Sequence, residues 1–433
     1  MFNCVLVLLF NAGGWTSVHE FESKLHPYKR TETRLITETR PGELTHVVYG
    51  FLPHWRGSGT WDLKLNLLTH LAWFGIELDS TGLIKEYNGW PEDWQWLKEH
   101  TQASGVRFDL AVTCFDWSGK KVHTLLADSA ARATAIQTIL ADAEGCNGVN
   151  IDFERPSMDD RDGFAQFLED LRDSLHQRGM TLSVDLTAVN WGERFDVARI
   201  SKAVDYIFIM GYDFHYPGSP NAGPVAPLDA ETYNIKKTVD YYIEQSGGLS
   251  ERFILGVPYY GYDWSVADTE PYAATKAQGT AYIYSTCESR AEQYGRKWHE
   301  ATSSPWFYYK SAETLRQCWF EDTLSLSLKF DLLKGKNLRG AGIWALTYDN
   351  GRDELWNLLA RFFTTGIAEK PATDAEKILL LPGMVSRSDV RNFLTVNPEY
   401  KAYDVSGRML ENPQRGVIFL RSDTRSIKVV VTK

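Results

Sequence analysis

The chain has 433 residues and a formal net charge of −10, with 43% hydrophobic and 13% aromatic side chains. The apolar share is ample for a packed core and excludes wholesale disorder, while the length predicts one large domain with smaller modules attached. An acidic balance without any basic run excludes the electrostatic footprint of a nucleic-acid-binding protein.

At the start, Val5–Phe10 is apolar, but Asn11, Gly13 and Gly14 close the run far short of the roughly 20 residues a spanning helix needs. Residues 1–15 are therefore expected to be the core of an export signal, although no Lys or Arg precedes them, and no stable membrane span is expected. Five cysteines, Cys4, Cys114, Cys146, Cys287 and Cys318, are scattered without zinc-ligand spacing, so no metal site is expected. Buried free thiols are the favoured reading, with a Cys287–Cys318 bridge left open. Phosphate-cradling loops and Gly-x-Ser-x-Gly elbows are missing, and no cofactor is expected.

Further along, eight short apolar runs recur: His46–Leu52, Leu68–Leu78, Val106–Phe115, Gly148–Glu154, Thr181–Val189, Tyr206–Phe214, Phe253–Gly261 and Gly340–Asp349. Helical spacing fills most of the intervals, as in Pro91–Ala103, His123–Glu144, Gly163–Gln177 and Glu231–Gln245. Strand alternating with helix predicts parallel strands joined by helical crossovers, and eight units suit an α/β fold of the closed (β/α)₈ barrel type. The interval before the eighth run is too long for one helix and is rich in Trp and Tyr, which predicts an α+β insertion over residues 266–338 beside the barrel mouth. A Thr-, Ala- and Pro-containing linker is expected over 365–376. Beyond it, over 377–433, short β-like runs predict a small β-sandwich near the lower size limit for an independent fold.

The fourth run, Asn147-Gly-Val-Asn-Ile-Asp-Phe-Glu154, carries the chemistry. Strand alternation puts Asn150, Asp152 and Glu154 on one face and Val149, Ile151 and Phe153 on the other. In a barrel the acidic set would point inward near the strand's carboxyl end, where such folds keep their active sites. Two neighbouring carboxylates repel, so one should hold its proton near neutral pH and serve as an acid. Taken alone, the same pattern also fits an edge strand with a solvated acidic face.

Asn147–Glu154 resembles the Asp-Gly-x-Asp-x-Asp-x-Glu signature of the family 18 glycoside hydrolases, the chitinase family. Matching segments follow in order: Gly50-Phe-Leu-Pro-His-Trp55, Met210-Gly-Tyr-Asp213, Gly256-Val-Pro-Tyr-Tyr-Gly261, Trp319-Phe-Glu-Asp322 with Ser325 and Lys329, and Gly342-Ile-Trp344. The resemblance covers roughly residues 46–364. It implies a retaining, substrate-assisted hydrolase of β-1,4-linked N-acetylglucosamine glycans, acting through an oxazolinium without metal or cofactor. Glu154 is implied as the general acid, Asp152 as the residue orienting the substrate's N-acetyl group, and Tyr212 as the hydroxyl holding the acetamido oxygen. Asn150, Met210 and Asp213 would line the same subsite, with Phe51 and Tyr260 from neighbouring motifs and Trp344 as an apolar floor for the sugar.

Three departures bear on these expectations. Asn147 and Asn150 replace the signature's first aspartates, so charge sharing along the strand should weaken. Asparagine at the inner position resembles spore-cortex N-acetylglucosaminidases and chitobiases, which widens the substrates to peptidoglycan and short chitin oligomers. Tyr262 stands where many chitinases carry Arg. Trp55, Trp73, Trp117, Trp191 and Trp264 are candidate sugar platforms, Trp264 foremost because it follows the seventh-strand motif.

The tail, Tyr403-Asp-Val-Ser-Gly-Arg408 with a strand near Gly416 and the final Lys428–Lys433, resembles a type IX secretion sorting domain. It implies secretion or surface display and contact with the export machinery. A monomer is expected. A non-hydrolytic lectin on the same fold and an endo-N-acetylglucosaminidase of N-linked glycans are the alternative functions.

Overall fold

The computed structural model describes residues 18–25, 43–56, 63–116, 118–230 and 232–365, together with four strands between 401 and 431. The expected signal segment 1–15, the linker beyond Thr365 and Trp117 lie outside the described residues. The chain divides into two compact units, Met1–Thr364 and Thr365–Lys433.

In the first unit a short helix, α1 (Val18–Leu25), precedes strand β1 (Val47–Pro53). Then come β2 (His70–Leu78), β3 (Ile84–Glu86), α2 (Gln95–Ala103), β4 (Arg107–Cys114), α3 (Lys120–Ala127), α4 (Ser129–Asp142) and β5 (Gly148–Phe153). The alternation continues through α5 (Arg161–His176), β6 (Thr181–Thr187), α6 (Val197–Ala203), β7 (Tyr206–Met210), α7 (Ile235–Gln245) and β8 (Phe253–Pro258). Strands β1, β2, β4, β5, β6, β7 and β8 pair in parallel, and an eighth strand closes the ring between β8 and β1, making the (β/α)₈ barrel. Only β3 is added antiparallel, at the carboxyl end of β2.

The sequence makes this fold for visible reasons. Strands β1, β5 and β8 are buried at every position, as parallel strands covered on both faces must be. Phe153 points outward from β5 and stacks on Phe167 and Phe164 of α5, at 5.4 and 6.2 Å between ring centroids. On α5 the buried residues Phe164, Phe167, Leu168, Leu171 and Leu175 recur at helical spacing and form the stripe that receives it. Ser157 and Asp160 form a reciprocal cap that begins the turn into α5 three residues after Glu154, and so fixes where β5 stops. Inside the barrel the Phe208 ring lies so close to Gly256 and Gly342 that a Cβ at either would fall 2.3 or 1.9 Å from it.

After β8 the chain leaves the barrel. β9 (Tyr260–Ser265), β10 (Thr280–Ile283), α8 (Tyr284–Tyr294), β11 (Lys297–His299), β12 (Ser304–Ser311) and β13 (Thr314–Trp319) build a five-stranded antiparallel sheet with a helix. Thr323–Gly335 (α9) then returns to the barrel, followed by its closing strand β14 (Gly340–Trp344) and by α10 (Glu354–Phe363). The insertion thus begins at Tyr260, inside the run read as the seventh strand, and ends before α9. An apolar stretch does not show where a strand changes sheets; the departure follows Pro258, whose ring removes a ladder donor. Cys287 and Cys318 are free, with their Sγ atoms 3.9 Å apart, and Cys114 and Cys146 are likewise buried free thiols.

In the second unit β15 (Lys401–Tyr403), β16 (Met409–Leu410), β17 (Gly416–Arg421) and β18 (Ser426–Val431) form one antiparallel sheet in the order β16-β15-β17-β18. The expectation of a β-sandwich rests on residues 377–433, most of which lie outside the described residues. Among the described residues no helix is long and apolar enough to cross a membrane.

Candidate active site

Parallel register gathers the site at the carboxyl ends of the strands. Thr113 pairs with Asp152, Thr187 with Met210, and Trp344 with Pro258, so residues from β5, β7 and β14 meet at one end of the barrel. Asp152 is fully buried and Glu154 is 5% exposed. Tyr212, two residues past the end of β7, is buried beside them. Trp344 ends β14, edge-to-face with Phe74 at 4.8 Å, and its peptide bond to Ala345 is cis.

Asn150 does not face the cleft. It is wholly buried, and its Nδ2 donates to Ser183 Oγ at 3.1 Å and to Asp185 Oδ1 at 2.7 Å. The second carboxyl group that Asn150 lacks is therefore supplied from the neighbouring strand, by Asp185. Burial, then the Asp152 carboxyl, push Asp185 well above the ordinary carboxylate range. The second acid sits across the sheet rather than along the strand, where the sequence pattern alone would have sought it. Burial also raises Asp152, and burial with the surrounding acids holds Tyr212 neutral far above its usual range. At neutral pH this end of the barrel is thus a store of protons.

Asp213 has φ near 60°, and its Oδ1 accepts hydrogen bonds from Tyr260 and, at 2.9 Å, from Tyr262. Tyr262 thereby makes a polar contact of its own where Arg was the expected residue. Met210 is 7% exposed and lines the cavity beside Glu154.

Two of the proposed sugar contacts are core residues. Phe51 is wholly buried under Trp344, its ring 5.7 Å from the indole and 5.0 Å from Phe208, so it supports the floor from below. Trp264 is wholly buried in the insertion, its Nε1 donating to the Pro217 carbonyl at 3.2 Å, and has no face for a sugar. Trp73 is likewise enclosed, stacked on Trp90 at 5.1 Å. Trp55 is half-buried 6.2 Å from Trp344. Trp191 is different: it is 50% exposed and meets the half-exposed ring of Tyr233 at 4.8 Å.

This aromatic pair borders a cavity of about 570 Å³ whose lining includes Glu154, Arg155, Arg194 and Tyr216. Arg194 is oriented by its Nε, which donates to the Trp191 carbonyl at 2.8 Å. The nearby Arg155 charge, after burial, lowers the Arg194 pKa, which marks two guanidinium groups facing one cleft.

Sequence reasoning missed one element entirely. Helix α1 reaches into the site: His19 is fully buried, its Nδ1 lies 2.8 Å from Asp152 Oδ2 and 3.4 Å from Glu154 Oε1, and its Nε2 lies 3.0 Å from the Tyr212 hydroxyl. No periodic signal identified so short a segment. Asp185 could have been found, because Ser183 and Asp185 alternate on their run as Asn150 and Asp152 do on theirs. His19, Asp152 and Glu154 each bring a potential ligand atom within 4.8 Å of the others, the one such grouping among the described residues. The proton retained by Asp152 opposes cation binding there.

The family model described as "Glycosyl hydrolases family 18" matches residues 18–349. A Bacillus subtilis (strain 168) protein named as a sporulation-specific glycosylase, YdhD, is 34% identical over 262 residues, 58% of this chain and 59% of that protein. A cortical fragment-lytic enzyme of the same organism is 28% identical over 58% of this chain and 59% of its own length. The chain thus spans about three-fifths of the length of these relatives. Among solved structures, the Ostrinia furnacalis group IV chitinase in complex with allosamidin shares the fold, with a TM-score of 0.66 and 21% identity over 73% of this chain and 98% of that one. The Bacillus cereus spore cortex-lytic enzyme SleL gives 0.61 and 24% over 74% of each.

Proposed function

The chain belongs to glycosyl hydrolase family 18 and is a glycoside hydrolase, and from that premise we propose that it cleaves β-1,4-linked N-acetylglucosamine glycans with retention of configuration. The observation that carries the proposal is the convergence of Asp152, Glu154 and Tyr212 around one position over Trp344. Glu154 protonates the glycosidic oxygen as the substrate's own acetamido oxygen attacks the anomeric carbon. Tyr212 donates to that oxygen, and Asp152 accepts from the acetamido N–H, stabilising the oxazolinium. The leaving sugar takes the proton of Glu154, whose carboxylate then deprotonates the water that opens the ring. This route is a recognised exception to the scheme with two enzymic carboxylates. The indole of Trp344 offers an apolar face to the pyranose.

The acetamido group is indispensable to this chemistry. N-acetylglucosamine oligomers should be cleaved, and fully deacetylated oligomers of the same length should not, as followed by product mass. Cleavage of both at similar rates would remove the substrate-assisted step.

Among such glycans, the Arg155–Arg194 pair beside Glu154 favours peptidoglycan strands, whose alternate sugars carry a carboxylate, over uncharged chitin. A charge-assisted hydrogen bond contributes about 1.5–3 kcal/mol. Arg194→Gln should therefore lower kcat/KM on peptidoglycan strands about tenfold or more and leave chitin oligomers nearly unaffected. Equal losses on both would point to chitin. Export belongs to the same proposal, supported by the apolar Val5–Phe10 run and the resemblance of the tail; amino-terminal sequencing of protein from the culture medium tests it.

A further inference from the structure

Helix α1 lies outside the strand-and-helix succession that builds the barrel, yet its buried side chains sit at the barrel's carboxyl end. The His19 ring lies over Trp344 with centroids 3.7 Å apart and planes 30° from parallel. Its two nitrogens reach Asp152 at 2.8 Å and Tyr212 at 3.0 Å. The Val18 backbone N–H bonds to the Asp213 carboxylate. One turn on, Glu22 is 8% exposed and accepts a 2.5 Å hydrogen bond from Tyr348.

We propose that α1 is an intramolecular inhibitor in which the His19 imidazole occupies the place of the substrate's acetamido sugar. A flat ring on the indole, with one contact to Asp152 and one to Tyr212, uses the groups assigned above to the acetamide. The atoms that hold His19 cannot hold substrate at the same time. The inference rests on the glycan-hydrolase reading for the identity of the displaced ligand, while the occupancy of the site by α1 rests on geometry alone.

The docked imidazole is neutral. Burial lowers its pKa to about 4, against the opposing pull of Glu154 and Asp213. Facing it are Asp152 and Glu154 from the end of β5, Tyr212 and Asp213 after β7, Trp344 from β14 and Phe74 from β2, with Asp185 behind Asp152. With Asp152 protonated, its hydroxyl donates to Nδ1 and the Nε2–H donates to Tyr212. A released histidine titrates near the ordinary 6.5, so the His19 share of docking is greatest above that value and weakens as the pH falls toward 4, whereas burial raises Glu22 to about 7, so its share weakens as the pH rises from the ordinary carboxylate range toward 7.

An intramolecular competitor raises KM and leaves kcat alone. With N-acetylglucosamine tetramer and the full chain, His19→Ala should lower KM at least tenfold with kcat within twofold. Glu22→Ala should lower it less. A peptide of residues 16–27 added to the His19→Ala protein should inhibit competitively. An unchanged or raised KM, or a fall in kcat, overturns the proposal. A readout free of turnover separates its failure from failure of the hydrolase reading: the His19 ring protons, followed by NMR against pH. Titration near 4 in the free protein, moving toward 6.5 when the tetramer is bound, supports occlusion. Titration near 6.5 without ligand overturns it whatever the activity. A value near 4 that the tetramer never moves, with no cleavage, supports occlusion and contradicts the choice of substrate.

Discussion

Two regions of this molecule treat their buried carboxylates in opposite ways. In and just after the insertion, each is met by a cation. Asp263 accepts from Arg316 at 2.6 Å and lies 3.3 Å from Arg290, and Glu321 pairs with Lys329 at 2.5 Å with both side chains wholly buried. Burial still raises these acids, but the cations oppose it. At the barrel's carboxyl end, no Lys or Arg among the described residues pairs with Asp152 or Asp185, and the neighbouring acids push Asp185 further up. The difference is one of purpose. A carboxylate that holds a fold together is neutralised by a partner, whereas those that line the proposed subsite are kept where their charge is expensive.

Breaking the second region should cost activity. Glu154→Gln should lower kcat about 10²- to 10⁴-fold with thermal stability nearly unchanged, measured by oligomer hydrolysis and calorimetry side by side. Breaking the first should cost stability. Lys329→Met leaves Glu321 buried without its cation and should destabilise by about 3–5 kcal/mol, read as a lower urea midpoint, while kcat of the remaining folded enzyme stays near wild type. Two tyrosines sharpen the contrast at smaller scale. Tyr212→Phe should lower kcat about 10²-fold by removing a donor to developing charge. Tyr262→Phe should change it less than about threefold, since Tyr260 still serves Asp213.

The smallest effect concerns pH. The raised pKa of Asp185 means that the folded protein holds a proton the unfolded chain releases near the ordinary value of about 3.9. The stability this group contributes is complete below that value and is lost as the pH rises toward the folded one. The Tm of the wild type should therefore fall relative to that of Asp185→Asn as the pH rises from 5 to 8. A steeper fall in the variant would show that Asp185 is ionised and paired.

Much of this was legible because periodicity and alternation report burial directly. Eight apolar runs separated by helical stripes predicted the closed barrel, and alternation on Gly148–Glu154 separated Phe153, which packs on α5, from Asp152, which faces inward. Pattern failed where a property depends on what lies across space. Trp264 and Phe51 look like cleft aromatics from their place beside strand motifs, and only packing shows them enclosed. Asn150 looks like a lost charge until Asp185 appears on the adjacent strand. His19 belongs to a segment with no barrel role, so nothing local could place it over Trp344.

The central claim is that Glu154 donates the proton and the substrate's acetamido group supplies the nucleophile. The most direct test is the anomeric configuration of the first product from an N-acetylglucosamine oligomer, followed by proton NMR before mutarotation, for the wild type beside Glu154→Gln. The account predicts the β-anomer from the wild type and almost no product from the variant. Initial release of the α-anomer, or undiminished cleavage by Glu154→Gln, would contradict it.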